Sequence, residues 1–493
     1  MTPSVPQTAA PLAYSPRPEC RRANLSARRF RMECLYTPPP AGRRLGRRPR
    51  SVGRSCVALF QNCFPSMVTT VSASDPARLP ESLSAVADGE HALAQVLVGV
   101  RRHLHKHPEV GMEEHQTSAF IRRTLEGYGL DVHGPIAGTG LYVDIDGAQD
   151  GGTIGYRADI DALPTQDQKQ VPYRSQEPNV AHLCGHDAHT AMGIGVALVL
   201  HARRSALPGR VRVFFQPNEE GLPSGAPLMI RGGVLEGLDA VYAVHVDPSL
   251  EVGRYGLITG PATASSDRFE VKVRQEGTGH SARPHEGVDT VWVASQLMDQ
   301  FYQAAGRITD ARDACVLTVT MLNGSDAHNV IPEEASLGGT LRTVSPADRR
   351  TIRAFMHDTA DRLAGLHGAH IELDFEDGSP PVLNDTAVMH NVDATIRDLL
   401  GPEAIHWIDQ SSMGGEDFAH YLEHVPGGFV RVGTASGPET SYPLHHHRFD
   451  LDETPLAPTA RLMAQSLMNH LAHQEDDSLP TAPTDNGATN GSV

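Results

Sequence analysis

The chain has 493 residues, of which 40% are hydrophobic, and its formal net charge at pH 7 is −17. That length allows several domains at roughly 150 residues each, and no apolar run reaches the ~20 residues of a membrane span. The charge is uneven, because twelve Arg and two acids give residues 1–66 a net charge of +10, which leaves −27 for residues 67–493. So acidic a body argues against nucleic acid as a partner, and no stretch points to a membrane.

The N-terminal segment differs from the rest of the chain. Residues 1–85 are rich in Pro, Arg and Ser without apolar periodicity, so we expect a disordered basic extension. Three interpretations remain open: an Arg-rich transit peptide, a basic arm for an acidic partner, or untranslated residues upstream of a true start at Met67. We favour the last. A polar stretch at residues 473–493 predicts a second disordered segment.

Cysteine usage bears on the cellular compartment. Four of the six cysteines fall in the N-terminal extension, and the body keeps only Cys184 and Cys315, far apart in sequence. This spacing offers no disulfide framework and favours a reducing compartment, so we expect a cytoplasmic protein.

From about Glu90 the pattern becomes that of a globular domain. Apolar residues at helical spacing run up to Pro108, and a second amphipathic helix is closed by Gly127 and Gly129. Short runs rich in β-branched and aromatic residues then alternate with helices, namely LYVDID, GTIGYRADIDA, VRVFFQP and AVYAVHVDP. The alternation predicts an α/β fold with a mixed, largely parallel sheet.

A different arrangement begins near Ser265. The strand FEVKVR, a helix over HEGVDTVWVASQLMDQFYQAA, the strands ACVLTVTML and EASLGGTLRT, a second helix and the strand HIELDFE follow one another. The order β-α-β-β-α-β is that of a ferredoxin-like domain. We therefore predict one α/β domain in two parts, residues 86–264 and 379–472, interrupted by an inserted domain at residues 265–378.

Metal-capable side chains cluster before an apolar helical run. Cys184, His186, Asp187 and His189 stand within six residues, directly ahead of the buried helix expected over Ala191–Leu200. Cys and His with a nearby carboxylate suit zinc and related transition metals. Taken alone, the pattern is a weak sign of a metal site, because it also fits a Cys that packs as a small hydrophobe and an Asp187 that caps the helix.

Further candidates follow two strands. Glu219 and Glu220 come directly after VRVFFQP, at the sheet edge where α/β active sites lie. Neighbouring side chains there point in different directions, so one carboxylate can bind metal while the other acts on water; a solvated acidic turn is the alternative. His245 ends the strand AVYAVHVDP, and His445 opens a run of three His that is also compatible with a plain surface.

Taken together, the motifs resemble a known family. They are RRHLHKHPEVGMEEHQTS, YRADIDALP, CGHDAHTAM, FQPNEEG, AVHVDP, GHSARPHEGVD, HNVIPEEASLGGTLRT, MGGEDFA and YPLHHHRFD. Over about residues 90–470 the chain resembles the amidohydrolase branch of the zinc aminoacylase/carboxypeptidase metallopeptidase family. That branch includes hippurate hydrolases, indoleacetyl-amino-acid hydrolases and N-acyl-amino-acid amidohydrolases. The resemblance implies a two-metal catalytic domain with an inserted lid, matching the predicted layout.

The resemblance also implies a set of metal ligands. Cys184 would bridge two divalent ions (Zn, Mn, Co or Ni), with Glu220 and His445 completing one site and His186 and His245 the other. His447 stands where relatives usually carry Pro, which leaves open which of the three consecutive imidazoles faces the metals.

Other residues gain roles by the same resemblance. Glu219 matches the general base, and Asp161 matches an acid that orients a metal-binding His. In the lid, His280 would stabilise the oxyanion, often from the partner subunit of a homodimer. Asn329 and Arg342 would hold the carboxylate of the substrate, for which the planar fork of Arg is well suited. The alternative for Arg342 is a surface residue paired with Glu333 or Glu334.

The implied activity is metal-dependent hydrolysis of an N-acyl or aryl-acyl amino acid to a carboxylic acid and a free amino acid. Two cations roughly 3.5–4 Å apart would lower the pKa of a water, and Glu219 would take its proton. A dipeptidase or carboxypeptidase of the same family is one alternative, although CGHD and RADIDALP favour the amidohydrolase branch. A catalytically silent metal-dependent binding protein is another, but it predicts a missing ligand or base, and every position is filled. The acyl group is not specified.

Overall fold

The computed structural model describes residues 89–474. The basic extension predicted for residues 1–85 and the predicted polar tail beyond residue 474 lie outside this range. Across the described residues, none of the helices combines the length and the apolar character needed to cross a bilayer.

The elements of the described range are as follows. The α-helices are α1 (Glu90–Lys106), α2 (His115–Gly127), α3 (His186–Ala202), α4 (Gly225–Arg231), α5 (Thr290–Ala304), α6 (Pro346–His367), α7 (Thr386–Leu399), α8 (Ala419–Leu422) and α9 (Leu456–Gln474). The strands are β1 (Val132–Ile136), β2 (Gly140–Asp146), β3 (Gln149–Asp159), β4 (Pro208–Gln216), β5 (Ala240–Glu251), β6 (Tyr255–Leu257), β7 (Gly260–Pro261), β8 (Asp267–Arg274), β9 (Gly279–His280), β10 (Cys315–Asn323), β11 (Val330–Ile331), β12 (Glu334–Thr343), β13 (His370–Glu376), β14 (Leu383–Asn384), β15 (Ile405–Trp407) and β16 (Gly427–Ala435).

Eight strands form one mixed sheet in the order β1-β2-β4-β3-β5-β16-β6-β15. The central strands β4, β3, β5 and β16 are parallel, whereas β1, β2 and β6 join by antiparallel pairings. Parallel strands are covered by helices on both faces, which is why the first seven residues of β5 are all buried. The predicted α/β fold with a mixed, largely parallel sheet is confirmed.

Helix α3 crosses the core on one face of this sheet and is buried over its first fifteen residues. It begins at His186, earlier than the predicted apolar run, because Gly185 adopts a left-handed conformation (φ 89°) directly before it. Small residues let the neighbours approach closely, since a Cβ on Gly195 would lie 2.7 Å from the Cβ of Ala460 in α9. The tight packing fixes the helix N-terminus beneath the carboxyl ends of the parallel strands.

A second sheet is formed by residues of the predicted insertion. Its four antiparallel strands stand in the order β10-β12-β8-β13 and pack against α5 and α6 around a separate apolar cluster. Along the chain these elements occur in the order β-α-β-β-α-β. Helix α5 starts at Thr290 instead of near His285, because the Asp289 side chain caps it by accepting a hydrogen bond from Trp292 N. We propose that this sheet and its helices form the lid.

Candidate metal centre and active site

The candidate ligands meet at one edge of the main sheet. Cys184 and His186 flank the turn into α3, and His245 lies on β5. The ligand atoms of these three buried residues all lie within 4.8 Å of one another. A second group with the same spacing joins Cys184 to Glu220, which follows β4, and to His445, which precedes α9. Cys184 is therefore common to two adjoining donor groups.

Hydrogen bonds orient two of the imidazoles. His186 Nδ1 lies 3.0 Å from Asp161 O and 3.1 Å from Asp161 Oδ1, and His245 Nδ1 lies 2.7 Å from Val246 O. Because these oxygens accept, each ring donates from Nδ1 and leaves Nε2 as the nitrogen available to the cluster. His186 Nε2 is buried with no hydrogen-bond partner in the described range, and His245 Nε2 lies 3.5 Å from Cys184 Sγ.

Glu220 and His445 complete the second group. His445 Nε2 lies 2.9 Å from Glu220 Oε1, yet the contact lacks the geometry of a hydrogen bond. His445 N donates to Leu183 O at 2.7 Å, which holds the loop beside the cluster. Of the three consecutive imidazoles, His445 is the one in the donor group, whereas His446 stacks between Tyr442 and His447.

The donor set fits divalent transition metals. A thiol, imidazole nitrogens and a carboxylate are the ligands that zinc and its neighbours prefer. Buried polar atoms are normally hydrogen-bonded, and two buried atoms of this set, His186 Nε2 and Glu220 Oε1, are not satisfied by any described residue. Burial, with the Glu220 carboxylate nearby, also raises the pKa of the Cys184 thiol, so a bound cation would have to displace that proton.

Glu219 lies beside the donor groups without joining the Cys184 set. Its Oε1 accepts a hydrogen bond from Asp417 N at 3.3 Å, and its Oε2 lies 3.9 Å from His186 Nε2. Burial raises the pKa of Glu219 well above its usual range, and the carboxylates of Glu416 and Glu220 add to this. A carboxyl with a raised pKa binds a proton more readily than an ordinary carboxyl, which suits a group that accepts and returns one.

Two residues of the CGHDAH stretch are occupied elsewhere. Asp187 does not cap α3; its Oδ2 accepts hydrogen bonds from Arg101 Nε at 2.8 Å and His105 Nδ1 at 2.7 Å. His189 is held between Asp159 Oδ1 and Val246 N, at 2.7 and 2.9 Å. The cap interpretation of Asp187 is therefore wrong, and both side chains are held by buried hydrogen-bond partners.

A buried ionic network behind Glu219 escaped prediction, although its residues stand in the quoted motifs RADIDA and MGGEDFA. The Arg157 guanidinium contacts Asp159 at 2.6 Å, Asp417 at 2.7 Å and Glu416 at 3.1 Å. Burial raises the pKa of Glu416 to about 7, with Arg157 opposing and Asp417 adding to the shift. The one clue in the sequence is that both motifs carry charged residues, and the pairing of Arg157 with Asp417 across 260 positions is visible only in three dimensions.

The three candidates of the insertion lie on or next to its strands, and His280 belongs to none of the donor groups found among the described residues. His280 on β9 pairs in register with Val330 on β11, and Asn329 O accepts from Ser281 N, so exposed His280 and Asn329 are close neighbours. Arg342 Nη1 donates to Met413 O at 2.8 Å. The alternative ion pair of Arg342 with Glu333 or Glu334 is not formed; Glu334 instead contacts Arg274 at 2.6 Å.

Residues 155–469 match the sequence model of peptidase family M20/M25/M40. The chain belongs to this family. An M20 protein from Bacillus subtilis described as a dinuclear metal-binding peptidase has a similar structure, with a TM-score of 0.69 and 34% identity over 78% of this chain and 99% of that chain. The metallopeptidase family inferred from the motifs is thereby confirmed.

Two relatives of this M20 chain carry named activities. An N-acetyl-L-cysteine deacetylase from Bacillus subtilis (strain 168) is 36% identical over 388 residues, which cover 78% of this chain and 91% of that protein. An N-acyl-L-amino acid amidohydrolase from Geobacillus stearothermophilus is 37% identical over 289 residues, covering 58% of this chain and 78% of that protein.

Proposed function

We propose that this protein is a metal-dependent amidohydrolase that cleaves N-acyl amino acids to a carboxylic acid and a free amino acid. The observation that carries the proposal is the convergence of two donor groups on Cys184, with Glu219 beside them. The two relatives named for acting on N-acyl amino acids support the choice of substrate class over that of a dipeptidase.

The two donor groups support two divalent ions, as in the dinuclear relative. In the proposed arrangement Cys184 is shared, Glu220 and His445 complete one site, and His186 and His245 the other. Zn, Mn, Co or Ni suits these ligands. When bound, such ions supply Lewis acidity and lower the pKa of water towards neutrality.

The chain itself supplies proton transfer and positioning. Glu219 takes the proton of the attacking water and returns it to the leaving amine. Asp417 N–H engages Oε1 of Glu219, which leaves Oε2 on the side of His186. Asp161 contacts both halves of the centre, since it accepts from His186 Nδ1 and from Glu220 N.

The proposed lid residues act on the substrate. His280 would stabilise the negative charge that develops on the carbonyl oxygen, and Asn329 and Arg342 would hold the substrate carboxylate. All three lie on the insertion, so closure of the lid would bring them to the site and exclude water.

A release assay tests the substrate class. Metal-free protein is supplied with Zn²⁺, Mn²⁺, Co²⁺ or Ni²⁺ and given N-acetyl, N-benzoyl and longer N-acyl amino acids beside dipeptides of matched side chains. We expect free amino acid to appear faster from the N-acyl compounds. Faster cleavage of dipeptides would favour the dipeptidase alternative, and metal binding without any turnover would favour a silent binding protein.

We also propose a homodimer formed through the second sheet. Within the described part of the chain its outer strand β10 pairs with β12 alone, and it exposes Val316, Met321 and Leu322. Trp292 on α5 is exposed as well. An exposed apolar edge strand is a ready template for pairing with a second copy.

Mixed dimers test whether His280 acts across that interface. Inactive His280→Ala and inactive Glu219→Gln subunits, exchanged to equilibrium, would place one complete site in each hybrid dimer, and so restore about a quarter of the wild-type sites. The measurement is activity against the hybrid fraction determined by native mass spectrometry. Verified hybrids without activity would mean that His280 does not act in trans.

A further inference from the structure

A cavity of about 490 Å³ adjoins the proposed metal centre, a volume typical of small-ligand sites. Phe429 and Arg431 of β16 form one wall, and Ile408 and Ser412 contribute another. The Phe429 ring lies 5.9 Å from the ring of His245, centroid to centroid. Leu444, next to the proposed ligand His445, also lines the cavity. The cavity is therefore a space beside the centre in which part of a substrate can lie.

Arg431 is the cation of this cavity. It is in parallel register with His245, so both side chains project from the same face of the sheet. Its guanidinium carbon lies 5.1 Å from the centre of the Phe429 ring, and the residue is half-buried. Within residues 89–474 it forms no salt bridge and no side-chain hydrogen bond, unlike buried Arg157 with its three carboxylates.

One carboxylate shares the cavity wall with Arg431. Asp247 also lines it, but Asp247 Oδ1 accepts hydrogen bonds from Ser249 N at 2.8 Å and Ser249 Oγ at 2.5 Å. The Asp247 carboxylate thus has hydrogen-bond partners, whereas the Arg431 guanidinium has no such partner among the described residues. A guanidinium in this position offers a planar fork of donors that matches a carboxylate.

We propose that Arg431 binds a second carboxylate of the substrate, so that the enzyme prefers N-acyl amino acids with two anionic groups. The inference rests on the proposed function, in which Arg342 holds the carboxylate of the amino acid itself. The second carboxylate belongs either to the acyl group or to the amino-acid side chain. Selectivity arises because a neutral analogue leaves the Arg431 donors without a partner.

Two pairs of substrates distinguish a second carboxylate on the acyl group from one on the amino-acid side chain. N-succinyl-L-alanine is compared with N-succinamoyl-L-alanine, and N-acetyl-L-glutamate with N-acetyl-L-glutamine, on the metal-loaded enzyme. Wild-type protein is expected to favour the dianion in one pair, and Arg431→Gln to lower that kcat/KM ratio by about 10- to 100-fold. Arg431→Lys should keep part of the preference, since it keeps the charge but not the fork. The control Arg397→Gln removes an exposed Arg paired with Asp393 and should keep the full ratio.

Binding is measured separately so that the result does not depend on turnover. Calorimetry with the same four compounds on Glu219→Gln protein, with and without Arg431→Gln, should show a dianion preference that the second substitution removes. Equal ratios for wild-type and Arg431→Gln proteins in both pairs would overturn the proposal while leaving amidohydrolase activity intact. A preference in binding without hydrolysis of any compound would support the anion site and refute the proposed function. Thermal unfolding shows whether each variant is folded. If Arg431→Gln protein does not fold, Arg431→Lys protein takes its place in both comparisons.

Discussion

Replacement of Glu219 by Gln is expected to lower kcat by about 10²–10⁴-fold while both metal ions stay bound. Gln keeps the size of Glu219 and can still accept the hydrogen bond from Asp417 N, but it cannot take a proton from water. Substrate affinity should therefore remain near that of the wild type. The measurement combines metal stoichiometry, kcat and calorimetric substrate binding.

The neighbouring substitution provides the matched comparison. Glu220→Gln removes a negatively charged ligand from the donor group that Glu220 forms with His445 and Cys184. This variant should therefore lose metal, and excess metal should restore part of its activity. Metal lost from Glu219→Gln but retained by Glu220→Gln would mean that the two roles are exchanged. Full turnover by both variants would reduce the pair to an acidic turn.

Replacement of Cys184 by Ser is expected to lower metal affinity by at least about 100-fold. Cys184 is the residue that the two donor groups share, so its loss affects both sites. A hydroxyl is a far weaker ligand than a thiolate, and removal even of a group that supports a ligand typically costs 10–100-fold in affinity. Elemental analysis after dialysis against a chelator gives the metal content.

Cys315→Ser is the control for this loss. Cys315 is the other described free cysteine, half-buried on β10 of the second sheet, and burial raises the pKa of its thiol to about 11. This variant should keep wild-type metal content. Equal metal content in the Cys184 and Cys315 variants would remove Cys184 from the proposed centre.

Much of the fold follows from local pattern. The apolar run after His189 predicts a buried helix, and the runs of β-branched residues predict the central strands, because parallel strands covered on both faces need continuous apolar sequence. The periodic pattern predicts a start of α5 near His285, whereas the helix begins at Thr290, where the Asp289 side chain caps it. Such boundary errors do not change the order of the strands.

The donor residues were predicted from family motifs, whereas their arrangement depends on tertiary contacts. The family motif assigns His445 and not His446, and in the structure a backbone hydrogen bond from His445 N to Leu183 O holds that residue beside Glu220. The same holds for Asp187. Its position near the start of α3 suggests a helix cap, but its side chain accepts a hydrogen bond from Arg101, 86 residues away. Long-range pairing of buried charges has no signature in the sequence between them.

The most direct test of the proposed centre is a titration of metal-free protein with Zn²⁺ or Mn²⁺, with release of free amino acid from an N-acyl amino acid as the readout. The proposal predicts that hydrolysis rises with added metal and saturates at two ions per chain, and that Glu219→Gln protein binds both ions with little hydrolysis. Full activity without metal, or two ions bound in Cys184→Ser protein with normal affinity, would contradict it.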